Sequence, residues 1–263
     1  MPDQSTQPRV PLSDLRTQVR PDLLPLNGRF SYFCAGPPLS EEDVRDYLEE
    51  PIAALPPQVA TVLPKIALLL VPFLERNGHQ SEIVAFEAPP ESKSAPASMW
   101  LDADGAVLTY AIDDMEVATY HYELFRHLAA LVADSPKPHL VDTSDYDKLL
   151  QDELKGRMHG EVDDLSWKKK QELLRRNSSP RVKRDGKTFK EYARQSFIDT
   201  MTLYLHGICC DIDVEPGPRQ LPSPRLRKRL KLLQGLFPPP KGYAVFPEEL
   251  DQLENDKGGS ARR

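Results

Sequence analysis

The chain lacks any apolar run long enough to cross a lipid bilayer. Its strongest apolar stretch, residues 66–73, is about eight residues long, whereas a membrane-spanning helix needs roughly twenty. The N-terminal residues also lack the apolar segment of a secretory signal. We therefore expect a cytoplasmic protein that has no membrane partner.

Cysteine is equally scarce. The chain has three cysteines, of which Cys209 and Cys210 are adjacent and Cys34 is far from both. This number and spacing give no disulfide framework, so we expect reduced thiols. The adjacent pair has the chemistry of a redox or metal site. However, buried cysteine commonly serves as a small apolar residue, and we favour that interpretation.

The short motifs of the common catalytic folds are missing as well. The sequence contains no P-loop, no GxGxxG, no GxSxG and no kinase signature. The nearest histidine to Cys209 is His206, which lies on the same predicted helix, so a cysteine nucleophile has no separately held base. Nucleophilic catalysis therefore has no support in the sequence, and we expect no cofactor.

Proline is plentiful where glycine is not. The 263 residues include 26 prolines and 13 glycines, and many prolines lie near the N-terminus and between residues 216 and 240. Such segments are typical of connectors and extended arms. We predict an extended N-terminal arm over 1–39 and a helix-rich α+β core domain over 40–215. Residues 216–263 are predicted to form a proline-rich linker, a basic amphipathic helix and a disordered tail.

Apolar spacing predicts that helices dominate. Ser40 followed by acidic residues is typical of a helix start. The strongly apolar segment 57–76 predicts a buried helix that Pro64 and Pro72 kink or split. Helical spacing predicts five further helices, over residues 118–134, 146–158, 165–176, 188–212 and 224–237.

Alternating apolar residues predict a small three-stranded antiparallel sheet. One strand is expected within residues 81–88 and two within 98–113. The last two strands flank the segment Ala103-Asp104-Gly105, where glycine supplies a positive φ for a hairpin turn. The predicted fold class is therefore α+β, rich in helices.

Charge is unevenly distributed along the chain. Residues 1–160 have a net charge of −12 and residues 161–263 have +6. Segment 167–194 alone has 11 basic and 3 acidic residues, a pattern that would suit nucleic acid or an acidic partner. We favour a solvated helix surface, because the segment has few aromatic residues and no nucleic-acid motif. This predicted basic surface comprises Lys168, Lys169, Lys170, Arg175, Arg176, Arg181, Lys183 and Arg184.

Two predicted helices carry a family resemblance. Segment 190–197, KEYARQSF, resembles a helix of the zincin metallopeptidases of the lethal-factor and ImmA/IrrE kind. His127, on the helix that follows the strands, matches the second histidine of that family's motif. In that family one helix carries HExxH, which supplies two histidine ligands and a glutamate base, and a later helix supplies an acidic ligand. The resemblance spans about residues 57–212 and implies a zincin-like core in which His127 and Gln195 lie side by side.

The ligand positions of that motif are replaced here. Alignment on His127 places Glu123 at the first histidine and Leu124 at the glutamate base. The alternative register keeps Glu123 as the base but places Tyr122 and Arg126 at the ligand positions. Neither register retains peptidase chemistry, so we expect a chain without that activity.

A non-standard metal site stays open as an alternative. Glu123 and His127 are four residues apart on one helix face, and the resemblance implies that Gln195 or Asp199 approaches them across the core. Carboxylate and imidazole are competent ligands for zinc or manganese, and zinc is the cofactor expected in this alternative. A buried carboxylate–imidazole pair without metal satisfies the same groups. The secondary metal candidates are His206, Cys209 and Cys210.

Three functions are therefore consistent with the sequence. The favoured one is a non-catalytic zincin-like protein that acts through contacts with a protein partner. The second is a metal-dependent hydrolase with the non-standard site, although it would lack a positioned base. The third is a nucleic-acid-binding protein that uses segment 167–194, which the acidic overall charge disfavours.

Overall fold

The computed structural model combines helices with two β-sheets, and helices predominate. The chain divides into two compact units, one of Met1–Ile52 with Leu63–Glu123 and the other of Ala53–Val62 with Leu124–Arg263. The expected helix-rich mixture of α and β structure is confirmed. The structure describes residues 9–77, 81–113, 115–136, 142–176, 186–210, 220–246 and 248–249.

The first unit contains a five-stranded mixed sheet. Its order is β2-β3-β4-β8-β7, with β3, β4 and β8 parallel and the two edge strands antiparallel to their neighbours. The central strand β4 is buried along nearly its whole length, as strands of parallel sheets are. The strands are β2 (Leu24–Pro25), β3 (Phe30–Cys34), β4 (Ile66–Val71), β7 (Ala97–Leu101) and β8 (Ala106–Ala111).

The prediction of one buried helix over 57–76 is wrong. Helix α4 covers only Pro57–Val62, and the apolar run after Pro64 forms β4. A short apolar run bounded by prolines does not distinguish a helix from a strand buried on both faces. Pro72 separates β4 from the next strand, β5 (Phe73–Asn77), instead of kinking a helix.

A second sheet in the same unit has three antiparallel strands. Its order is β1-β6-β5, where β1 is Val10–Pro11 and β6 is Ser81–Ala85. The predicted strands at 81–88 and 98–113 exist, but they belong to different sheets, because β7 and β8 pair beside β4. The hairpin turn is confirmed. Gly105 has φ +150°, and a Cβ there would lie 2.2 Å from the carbonyl oxygen of Lys65.

The N-terminal segment is not an extended arm over its described part. Residues 10–34 contain β1, helix α1 (Leu12–Gln18), β2 and β3, and β3 pairs with β4 inside the sheet. Apolar residues such as Leu12 and Phe30 are buried there, which explains why the segment folds with the sheets. Residues 1–8 lie outside the described part of the chain.

The helix start at Ser40 is confirmed. The Ser40 hydroxyl accepts the backbone N–H of Asp43, and the Asp43 carboxylate accepts the backbone N–H of Ser40, which together form a capping box. Helix α2 (Glu41–Val44) continues through a π-helical turn, Arg45–Glu49, into α3 (Glu50–Ala53).

The second unit is helical in its described part. Helix α8 runs for 23 residues and is buried along most of its length, with α7 packed antiparallel to it. The predicted bounds of the helices agree with the structure to within about three residues. The helices are α5 (Val117–Ala133), across which the unit boundary falls, α6 (Ser144–Lys155), α7 (Asp164–Arg176), α8 (Lys187–Cys209) and α9 (Ser223–Leu236).

Helix α9 is packed into the second unit. The predicted basic helix at 224–237 exists, but it buries Leu230, Leu233 and, completely, Arg229. The predicted disordered tail lies outside the described residues. Among the helices that the structure describes, none is both long and apolar enough to traverse a bilayer.

Candidate functional site

Helix α5 follows the β7–β8 hairpin and contains the first of the two segments on which the zincin resemblance rests. In the register aligned on His127, Leu124 takes the position of the general base and is fully buried, and Glu123 beside it is half-buried. His127 is buried as well. Its burial, assisted by the charge of Arg126, lowers the pKa of His127 to about 4. The imidazole is therefore neutral at physiological pH. In the register aligned on His127, the helix has no carboxylate at the position of the base.

Helix α8 contains the second segment of the resemblance, KEYARQSF. It runs antiparallel to α5, because Phe125 contacts His206 while Asp134 pairs with Arg194 nearer the start of α8. These two contacts bring the helices together at both ends of the pairing. A side-by-side placement of His127 and Gln195 stays a prediction.

Gln195 and Asp199 are engaged with each other and with α7. The Gln195 amide donates to one carboxylate oxygen of Asp199 at 2.7 Å, and the backbone N–H of Ser166 donates to the other at 3.1 Å. Burial raises the pKa of Asp199 to about 6, although both hydrogen bonds oppose the rise. Both oxygens of this candidate ligand thus have hydrogen-bond donors within α7 and α8.

The secondary candidates lie at the C-terminal end of α8. Cys209 and Cys210 are half-buried and take part in no disulfide, and the backbone N–H of Cys210 donates to the carbonyl oxygen of His206. His206 is half-buried, with its ring 6.3 Å from that of Phe125. The third cysteine, Cys34, is half-buried as well. These thiols form no disulfide, as expected.

The predicted basic surface is smaller than the sequence suggests. Lys170 is fully buried, because its ammonium group bonds the carbonyl oxygen of Gly160 and the carboxylate of Glu161. Lys169 and Arg176 lie beside acidic residues of α7 and α8. Of the predicted basic residues, Lys168, Arg175 and Arg176 are exposed on α7, whereas Arg181, Lys183 and Arg184 lie outside the described residues.

A buried charge cluster, which sequence reasoning missed, holds α9 in the second unit. The Arg229 guanidinium group donates to Glu153 at 2.6 Å and to Glu161 at 2.7 Å, and Glu161 also pairs with Lys170 at 3.1 Å. Tyr192 donates its hydroxyl to Glu161 at 2.5 Å. Two carboxylates and two cations balance, so the buried charges are compensated.

The electrostatics of the cluster follow from this pairing. Burial alone would raise the pKa of Glu161, but Arg229, Lys170 and the Tyr192 hydroxyl outweigh it and hold that pKa below its usual range. Burial, and then the negative charge of Glu161, raise the pKa of Tyr192 well above its usual value. Each charged group of the cluster is buried and has a partner of opposite charge within it, so we assign it a structural role.

Strand β7 is an exposed edge of the five-stranded sheet. Met99, Trp100 and Leu101 are 37, 54 and 55% exposed, although large apolar residues usually avoid water. No charged residue or proline lies within β7, and these are the residues that commonly protect an edge from pairing. The sequence predicted this strand but gave no sign that it lies at an edge.

The hydrogen-bond pattern shows which backbone groups of β7 face outward. The backbone N–H of Asp102 donates to the carbonyl oxygen of Gly105, and the backbone N–H of Ala111 donates to the carbonyl oxygen of Pro96. The backbone groups of Pro96 and Asp102 therefore point towards β8. Because this direction alternates along an antiparallel strand, the N–H and C=O groups of Met99 and Leu101 point away from β8. They face no other strand in the part of the chain that the structure describes.

Comparison with known proteins adds no relative. No protein-family model, no curated protein and no solved structure matches the chain.

Proposed function

We propose that this chain is a non-catalytic, zincin-like protein that acts through protein contacts, and that β7 is its main contact element. The observation that carries the proposal is an unprotected edge strand with three exposed apolar side chains. The zincin-like scaffold is supported by the order of elements, in which the β7–β8 hairpin leads into α5 and α8 packs along α5. Loss of peptidase chemistry is supported by the buried Leu124 at the base position.

The partner is an extended peptide segment that pairs with β7. Edge strands bind such segments by backbone hydrogen bonds, while pockets for alternate side chains select the sequence. The outward backbone groups of Met99 and Leu101 offer two donors and two acceptors. Since β7 has no charge, a segment with apolar side chains at alternate positions matches it best.

The two faces of β7 differ in what they offer. Trp100 and Ser98 lie on one face, where Arg16 covers the Trp100 ring at 5.4 Å and donates to the Ser98 hydroxyl. Met99 and Leu101 lie on the opposite face with their side chains exposed. We therefore expect the apolar side chains of the partner segment to contact Met99 and Leu101.

Selection from a library of random twelve-residue peptides tests this proposal. The full-length protein should enrich peptides with apolar residues at alternate positions. Replacing Leu101 by proline removes one outward N–H that β8 does not use, so the fold should tolerate the change while peptide affinity falls at least tenfold. Combined Met99→Lys and Leu101→Lys replacement should abolish binding.

A matched control lies on the opposite edge of the sheet. Leu24 on β2 is 53% exposed, so Leu24→Lys places the same charge on another edge and should leave peptide affinity unchanged. Equal loss of affinity in Leu24→Lys and Leu101→Lys would contradict the assignment to β7. Sedimentation of the free protein distinguishes peptide binding from self-association. If β7 pairs with a second copy of the chain, the protein should sediment as a dimer, and Leu101→Lys should dissociate it.

A further inference from the structure

The first unit contains two neighbouring cavities that meet around Arg16. Their volumes are about 320 and 580 Å³, which is within the range of small-molecule sites. Arg16, Arg20, Asp102 and Val107 line both of them. Because they share these residues, the two spaces form adjoining parts of one region between the five-stranded sheet and α1.

The floor of the smaller cavity is a row of short side chains on the sheet. Ser31, Ala67 and Val107 are register partners on β3, β4 and β8, so their side chains lie on the same face. Serine and alanine fill little of the space beneath the covering segment that includes Val19 and Leu23. The result is a flat and largely apolar floor.

The walls of this cavity carry excess positive charge. Four cationic side chains line it, Arg16, Arg20, Arg29 and Lys65, together with two carboxylates, Asp102 and Asp104. Both carboxylates are engaged by Arg20, at 2.6 and 2.7 Å. Lys65 has no ion-pair partner among the residues that the structure describes. The charge of Lys65 beside the cavity favours an anionic occupant.

Arg16 identifies where the anionic group would bind. Its guanidinium group donates to Ser98 at 3.1 Å and lies 3.6 Å from Glu82, but its Nε is buried and has no hydrogen-bond partner. The nearby carboxylate of Glu82 also accepts hydrogen bonds from Ser98 and Arg76. A buried N–H without an acceptor is costly, so a ligand oxygen at this position would be bound favourably.

We propose that this cavity binds a small, flat organic carboxylate, whose apolar body lies on Ala67 and Val107 and whose carboxylate accepts a hydrogen bond from Arg16 Nε. A planar ligand suits the flat floor, and a carboxylate suits the planar guanidinium group. The site and the peptide contact use opposite faces of β7, because Trp100 lines the larger cavity whereas Met99 and Leu101 line neither cavity.

Fluorescence titration with 2-naphthoate tests the proposal. The chain has two tryptophans, so in a Trp167→Phe background only Trp100 remains, and it lines the larger cavity beside Arg16. We expect saturable binding of one equivalent. Arg16→Met should weaken it at least tenfold, whereas Arg45→Met, an exposed arginine of the same unit, should leave it unchanged. The neutral 2-naphthamide should bind the unmodified protein at least tenfold more weakly.

Filling the floor provides a second test that leaves the charges intact. Ala67→Leu should block 2-naphthoate while the circular dichroism spectrum stays unchanged. If Ala67→Leu does not fold, Ser31→Leu serves as the floor variant instead, since Ser31 lies beside Ala67 on the neighbouring strand β3. Absence of saturable binding to the unmodified protein, an unchanged dissociation constant in Arg16→Met, or binding that survives in the folded floor variant would each overturn the proposal. Binding of inorganic phosphate with equal affinity would contradict the organic-carboxylate assignment.

Discussion

Replacement of Arg229 by methionine should strongly destabilise the second unit. Arg229 is fully buried and bonds two buried carboxylates, Glu153 and Glu161, as well as the Ser196 hydroxyl. Methionine retains much of the side-chain volume but leaves both carboxylates with only Lys170 to compensate them. Breaking a buried ion pair on one side costs about 3–5 kcal/mol. That is a large part of a typical unfolding free energy of roughly 5–15 kcal/mol.

Urea unfolding followed by circular dichroism at 222 nm measures this loss. Arg225→Met is the matched control, since Arg225 lies on the same helix and is exposed, so its replacement should cost less than about 0.5 kcal/mol. Adding Glu153→Met to Arg229→Met should recover part of the stability, because one uncompensated charge disappears. A cost for Arg229→Met no greater than that for Arg225→Met would refute the claim that the cluster holds α9.

The penalty for Arg229→Met should also depend on pH. In the unmodified protein the pKa of Glu161 is held below its usual range, so its contribution is present at neutral pH and is lost only as pH falls through that low folded value. Without Arg229 the buried carboxylate should instead have a raised pKa and take up a proton on mild acidification. We therefore expect a smaller difference in unfolding free energy between the two proteins at pH 5 than at pH 7. A difference that does not change with pH would contradict this reasoning.

Three further predictions follow from single residues. Gly160 has φ +86°, and a Cβ there would lie 2.2 Å from the Gln220 carbonyl oxygen. Gly160→Ala should therefore lower the unfolding free energy in urea by about 1–3 kcal/mol. The control Gly235→Ala, which adds a Cβ in open space on α9, should raise it by up to about 1 kcal/mol. The pKa of His127 is about 4 in the folded protein, which is below its value in the unfolded chain. The folded protein therefore has its full stability above pH 6.5 and loses this contribution as pH falls towards 4. An NMR titration midpoint near 6.5 for His127 would contradict its burial. Elemental analysis should find far less than one equivalent of zinc, unchanged in His127→Ala, and stoichiometric zinc that this variant loses would instead support the hydrolase alternative.

Local sequence patterns identified the helices better than the sheets. Helix α8 has apolar residues at helical spacing and contains no proline, so its bounds could be predicted closely. Strand β4 could not be predicted in this way. Both of its faces are buried, so its sequence does not alternate between apolar and polar residues. The pairing of β7 and β8 with β4 depends on residues far apart in sequence, and a hairpin signal alone does not reveal its neighbours.

The candidate sites show the same limit. Lys170 and Arg229 look like solvated surface residues in the sequence, since charged side chains are seldom buried. Their burial depends on Glu153 and Glu161 lying opposite, which only the tertiary structure specifies. The exposure of Trp100 likewise follows from the edge position of β7 and not from its local sequence.

Hydrogen exchange can show whether β7 is the strand that pairs with a bound peptide. In the free protein the amides of Met99 and Leu101 should exchange quickly, because they point away from β8, while the amide of Trp100 should be protected. Addition of a peptide selected on the protein should slow exchange at Met99 and Leu101 and leave the exposed control strand β2 unchanged. Peptide binding that leaves both amides exchanging at their free rates would contradict the account.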